Sequence, residues 1–266
     1  MSDLVEERGE RVNKVYFIGA GPGDADFLTL KGARLLERCA TVFVPTPFEQ
    51  TFVEHLGGKE LLIPFNYYFD ELITLIRQRL EAGEVAFLVP GDLTFYSPFQ
   101  ALIDALGEVA EVIAGVGTAN VASAWLKKTL DLPGVCNRAI IASPRTLGDG
   151  ESSPTIGDLA SPGVTLLIYM NNIPLAELVA QLRSGYGCSV PIVIAHRLGL
   201  PGEEVVRGSL DDIVEKVGGR DFFNLAVPKS RPALTLVLVG ETLDATVDGG
   251  WWDYRREHIW KYREEA

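Results

Sequence analysis

Along the first part of the chain, apolar residues come in short unbroken blocks separated by amphipathic stretches. KVYFIG (14–19), TVFV (41–44) and VAFLVP (85–90) are near-continuous apolar runs of strand length. Between them, LTLKGARLLER (28–38) and FDELITLIRQRLEAG (69–83) repeat their apolar positions at helical spacing. Thr29 is placed to cap the first helix and Gly83 to close the second. SPFQALIDALG (97–107) reads as a third helix, and EVIAGVGTAN (111–120) runs from a short strand into a glycine-rich hinge. Strands without polar alternation, set between helices, predict a mostly parallel sheet covered on both faces.

A second unit follows the hinge. RAIIAS (138–143), VTLLIYM (164–170), PIVIAH (191–196), EEVVRGS (203–209) and ALTLVLVG (233–240) supply strands. PLAELVAQLRSGYG (174–187) and SLDDIVEKVGG (209–219) supply helices, and EEVVRGS alternates in a way that suits antiparallel pairing. The fold class expected is α/β: two α/β domains with a ligand cleft between them. The expected boundaries are an N-terminal extension at 1–13, a first domain at 14–115, a second at 116–245, and an aromatic helical tail at 246–266. Residues 249–266 of the tail hold three of the four tryptophans and balance four acidic against four basic residues, which suits docking on protein better than lying on a membrane surface.

Charge and cysteine usage narrow the partners. With 24 basic against 36 acidic residues the chain carries −12, which argues against a binder that relies on phosphate neutralisation. No apolar run reaches the ~18–20 residues of a membrane span, and the charged N-terminus lacks the apolar centre of a secretory signal. Cys39, Cys136 and Cys188 are scattered and odd in number, as buried thiols in a reducing compartment would be. A cytoplasmic protein that uses neither membrane nor nucleic acid is expected.

Several chemistries are missing. GAGPGD (19–24) has Asp24 where a dinucleotide fingerprint needs its last glycine, and TVFV offers no acidic residue for a ribose. There is no P-loop, no GxSxG and no HExxH, and His55, His196 and His258 lie too far apart to suggest a metal cluster; no metal is expected. What remains sits at strand ends, where ligands bind in open α/β sheets. Three glycine-bearing turns occupy such places: Gly19–Asp24, Pro90–Tyr96 and Ala114–Thr118. Any one of them could be an ordinary strand-to-helix turn, but together they point to a ligand.

These residues carry a family resemblance. GAGPGDADFLTLKGARLL (19–36) resembles the opening signature of the tetrapyrrole (corrin/porphyrin) methyltransferases. VPGDLTFYSPF, VIAGVGTANVASA, LLIYMNN and VPIVIAHRLGLPGEEVVRGSLDDI are similar to the family's later blocks, in the same order, across residues 14–243. The spacing of Pro201, Gly202, Glu203 and Glu204 before VVRGSLDDI is most like the branch acting at C11 of precorrin-4 or cobalt-precorrin-4, whereas GDLTFYS leans toward the precorrin-2 branch.

The resemblance implies a homodimer that uses S-adenosylmethionine to methylate a small-molecule tetrapyrrole in cobalamin synthesis. It implies cofactor contacts at Pro22, Pro90, Gly91, Asp92, Phe95, Gly117 and Thr118, with Met170 packing on the adenine and Leu198 closing the pocket from the second domain. A macrocycle with carboxylate side chains needs cationic partners, for which Arg145, Arg197, Lys127 and Lys128 are the candidates. Methyl transfer needs positioning rather than a nucleophile; Asp92 is the candidate to guide a proton from the methylated intermediate. Two turns depart from the family pattern at three positions: Leu93 and Ala114 stand where prolines are usual, and Gly117 replaces a hydroxyl residue. These departures keep open a non-catalytic carrier, beside an RNA-directed methyltransferase that the net charge disfavours.

Overall fold

The computed structural model describes residues 12–148, 150, 152–187, 189–226 and 233–261. The chain divides into two compact units: Met1–Ala122 with Arg197–Glu204, and Ser123–His196 with Val205–Ala266. Cys188 and the outermost parts of the N-terminal extension and tail lie outside the described residues.

In the first unit, β1 (Val15–Gly19), α1 (Leu30–Arg38), β2 (Thr41–Phe43), α2 (Val53–Leu56), β3 (Glu60–Leu62), α3 (Phe69–Ala82), β4 (Val85–Val89), α4 (Gln100–Leu106) and β5 (Ala110–Ile113) follow in order. The strands form one sheet in the order β3-β2-β4-β1-β5, and every adjacent pair is parallel. Val15, Phe17, Val85 and Phe87 pack on one face with Leu72 and Ile76 of α3. Tyr16, Ile18, Ala86 and Leu88 pack on the other with Leu35 and Leu36 of α1. Both sides of β1, β2 and β4 are buried, which is why their sequence shows no alternation.

Local signals set the helix ends. The Thr29 hydroxyl accepts from Gly32 N at 3.1 Å and starts α1 at Leu30, two residues later than the apolar spacing alone suggests. Gly83 does follow α3, but in an extended conformation open to any residue. The short β3 and α2 carry too few apolar residues to be visible in the sequence.

In the second unit, α5 (Thr118–Leu126) enters from the first, followed by β6 (Arg138–Ala142), α6 (Ile156–Leu159), β7 (Val164–Tyr169), α7 (Leu175–Tyr186), β8 (Pro191–His196), β9 (Glu204–Ser209), α8 (Ile213–Val217) and β10 (Thr235–Val239). The sheet order is β6-β7-β10-β8-β9. β6 and β7 are parallel, but β10 inserts between β7 and β8 antiparallel to both. Leu166, Ile168, Ile192, Ile194, Val237 and Val239 of these strands share a core with Leu178 and Leu182 of α7. In the tail, α9 (Gly250–Arg255) continues into a π-helical turn at 256–260. Its rings pair with each other, Trp251 on Tyr254 and Trp252 against Trp260, while Trp252 remains 63% exposed.

Candidate active site

The first glycine loop leaves β1 and is fastened to the second, which leaves β4. Gly21 N donates to Gly91 O at 3.0 Å, and Gly91 N donates back to Gly21 O at 2.7 Å. Both glycines have positive φ, +74° and +70°, which L side chains rarely adopt. The third loop, after β5, crosses the first so closely that a Cβ on Gly19 would lie 2.6 Å from Gly115 Cα. Three turns far apart in sequence are thereby locked into one arrangement at the carboxyl edge of a parallel sheet.

Pro22, Gly91, Asp92, Gly117 and Thr118 all belong to this arrangement. Pro22 is buried and Asp92 half-buried, whereas Pro90 is exposed and Phe95 is 47% exposed. Asp92 Oδ1 accepts from Thr94 N at 3.1 Å, which fixes the carboxylate over its own turn. A cleft of about 420 Å³ opens beside it, lined in part by Asp92, Leu93, Ile103, Val112, Ala114 and Gly115. Leu93 and Ala114, the two positions that lack the usual proline, thus border the same space.

Leu198 differs from its expected position. It is 3% exposed and lies in the segment Arg197–Glu204, which belongs to the first compact unit although it follows β8. The reason is packing: Leu200 sits in the core with Ile18 and Phe48. Arg197 takes φ +53° and donates from Nε to Pro201 O at 2.8 Å, while Gly199 N donates to Glu203 Oε2 at 2.7 Å. The loop is therefore tied internally at two points.

Met170 and Arg145 lie together in the second unit. β6 and β7 are parallel with Ala142 opposite Ile168, so their exits run side by side. Arg145 Nε donates to Met170 O at 3.2 Å, and Met170 takes φ +48°. Strained residues of this kind cluster at ligand sites. Ser143 and Asn171 flank the pair, 0% and 2% exposed, and Ser143 Oγ and Asn171 Oδ1 find no partner among the described residues. Sequence reading missed both, because nothing in a serine or asparagine letter signals burial.

Lys127 and Lys128 follow the far end of α5 from Gly117 and Thr118. Lys127 is exposed, and the Lys128 ammonium donates to Ala245 O, a bond that anchors the segment after β10. Among the described residues, no group of three or more His, Cys, Asp or Glu is arranged to hold a metal.

Comparison with known proteins agrees with this geometry. The family model for tetrapyrrole (corrin/porphyrin) methylases matches residues 14–214. The precorrin-4 C(11)-methyltransferase of Pseudomonas aeruginosa is 34% identical over 257 residues, covering 94% of this chain and 98% of that protein. The crystal structure of a cobalt precorrin-4 methyltransferase, a cobalamin biosynthetic enzyme, aligns with a TM-score of 0.68 at 22% identity, over 87% of this chain and 96% of that one. A uroporphyrin-III C-methyltransferase from Thermus thermophilus, complexed with S-adenosylhomocysteine, aligns with a TM-score of 0.62 at 23% identity, over 89% and 96%. A match over most of the chain, with the glycine turns gathered at one sheet edge, settles the assignment: the protein belongs to the tetrapyrrole (corrin/porphyrin) methylases.

Proposed function

We propose that the chain is an S-adenosylmethionine-dependent C-methyltransferase of cobalamin biosynthesis that acts at C11 of precorrin-4 or its cobalt form. The observation that carries this reading is the 34% identity to a precorrin-4 C(11)-methyltransferase along nearly the whole length of both chains.

The residues present fit the cofactor. Gly21 and Gly91 leave the joined crests of two loops without side chains, next to a cleft of about 420 Å³ with a carboxylate on its wall. Pro22, Pro90, Gly91, Asp92, Phe95, Gly117, Thr118 and Leu198 would hold the nucleoside and amino-acid parts, and Met170 would pack on the adenine. S-adenosylmethionine supplies the activated methyl group. The chain's own work is to place the acceptor carbon in line with that group, and fixed orientation alone lowers such a barrier by several kcal/mol. For an acceptor rich in carboxylates, Arg145 is the best-prepared partner: its Nε is held by Met170 O, which aims the guanidinium. Arg197, Lys127 and Lys128 are further cationic candidates.

We also propose a cytoplasmic homodimer. No helix among the described residues is long and apolar enough to cross a membrane, and the exposed rings of the tail suit a protein partner. Light scattering on the purified protein tests the dimer. The activity is tested by incubation with S-adenosylmethionine and precorrin-4 or cobalt-precorrin-4, with mass spectrometry of the product. A gain of one methyl group at C11 is expected; an unaltered acceptor with both substrates would overturn the reading.

A further inference from the structure

β3 is an edge strand of the first sheet, and the chain leaves it with apolar side chains turned outward. Leu61, Ile63 and Phe65 are exposed, whereas Leu62 is half-buried and Pro64 buried, the alternation of an extended segment lying against a core. Outward positions of such a segment are ordinarily polar; here they are apolar. α3 then begins, with Tyr68 84% and Phe69 47% exposed. Phe65, itself 53% exposed, stacks on Phe99 with ring centroids 6.0 Å apart, so this surface is held from behind.

From Leu61 to Phe69 no residue is charged, in a chain that is 23% charged. The cations beside this stretch are engaged elsewhere. Arg79 donates Nε and Nη2 to the two carboxylate oxygens of Glu60 at 2.7 and 2.6 Å, and Lys59 Nζ donates to the carbonyls of Glu37 and Cys39. An aromatic side chain offers about 150–250 Å². At the exposures of Leu61, Ile63, Phe65, Tyr68 and Phe69, the apolar patch comes to about 500 Å². A stable dimer takes about 800 Å² from each partner, so the patch supplies more than half of one side.

Charge selects the occupant. A macrocycle edged with carboxylates needs cations, and both cations beside this face are already bound. A second copy brings the same net charge of −12, which opposes contact between charged faces and leaves an uncharged face as the place to meet. We infer that Leu61–Phe69 forms the centre of the homodimer interface, where the patch packs on its own counterpart across a two-fold axis with edge strand beside edge strand. This rests on the homodimer proposed above and locates it on the first unit instead of the aromatic tail.

Light scattering across a dilution series of the full chain tests it, with Leu61→Glu, Tyr68→Glu, Tyr68→Phe and, in the tail, Trp252→Glu. Wild type, Tyr68→Phe and Trp252→Glu are expected to have twice the mass of one chain. Leu61→Glu and Tyr68→Glu place a carboxylate on each side of the interface and should weaken the dimer by about thirtyfold or more, the effect of losing one hot-spot residue. A dimer that survives both glutamate variants would overturn the inference and leave the homodimer standing; with a raised acceptor KM it would give the patch to the macrocycle. Dissociation by Trp252→Glu alone would move the interface to the tail. A monomeric wild type would overturn the interface and the homodimer together. Both glutamates replace exposed side chains, and matched melting curves confirm that the variants fold.

Discussion

Gly19 and Gly115, ninety-six positions apart, pass backbone to backbone: a Cβ on Gly115 would lie 2.5 Å from Gly19 Cα. No side-chain rearrangement relieves such a contact, because both parties are main chain at strand exits. Gly19→Ala or Gly115→Ala is expected to cost about 1–3 kcal/mol, as overpacking does, and to weaken S-adenosylhomocysteine binding with it. Gly57→Ala, where nothing lies within 4 Å of the added carbon, is the control and should be neutral. Urea denaturation of the three variants decides the matter.

Asp92 has two roles to separate. If its carboxylate holds the cofactor, Asp92→Asn raises the Kd for S-adenosylhomocysteine by about tenfold. If it guides a proton, the same variant loses turnover at saturating cofactor with affinity unchanged. Paired calorimetry and kinetics report which occurs.

Arg145 is aimed by its Nε bond to Met170 O. Arg145→Ala is expected to raise the acceptor KM by about tenfold, with Arg145→Lys recovering only part because an ammonium cannot reproduce the two-pronged contact. An unchanged KM in both variants would return Arg145 to a purely structural part.

Phe87 is the hub of the first unit's aromatic core, with ring centroids 5.1 Å from Phe17, 5.2 Å from Phe43 and 4.8 Å from Phe99. Phe87→Ala should cost about 3–5 kcal/mol through lost burial and the cavity left behind. Chemical denaturation measures it directly.

Alkaline stability is set at the opposite end of β1 from the site. Burial pushes the Cys39 thiol up from 9.0 to about 11. Burial, and then the hydrogen bond to Glu84 at 2.7 Å, push the Tyr16 phenol up from 10.0 to about 12. Both groups hold their protons more tightly in the folded chain than in the unfolded one. Their contribution is complete below the unfolded values and is lost as pH rises through the folded ones. Melting temperature should therefore fall between about pH 9 and 12, and Tyr16→Phe should flatten the upper part of that fall.

Much of the first unit could be read from one dimension. The runs KVYFIG and VAFLVP are buried on both faces, so their composition alone signals a central parallel strand, and the Thr29 cap is a contact between residues three apart. Local periodicity and local hydrogen bonds are properties of short stretches, and a sequence displays them. The glycine turns, the strands they end and the family were legible for the same reason.

Long-range geometry was not. That β10 runs antiparallel between two earlier strands depends on how the chain returns, which no strand-length pattern encodes. Leu198 joins the first unit because Leu200 finds core partners there, Ile18 and Phe48 among them, more than 140 positions away. The interlock of the Gly19, Gly91 and Gly115 turns exists only where β1, β4 and β5 end on the same edge of one sheet. Short-range physics wrote the elements into the order of residues; proximity between distant exits, and hence the site, arose only when packing brought them together.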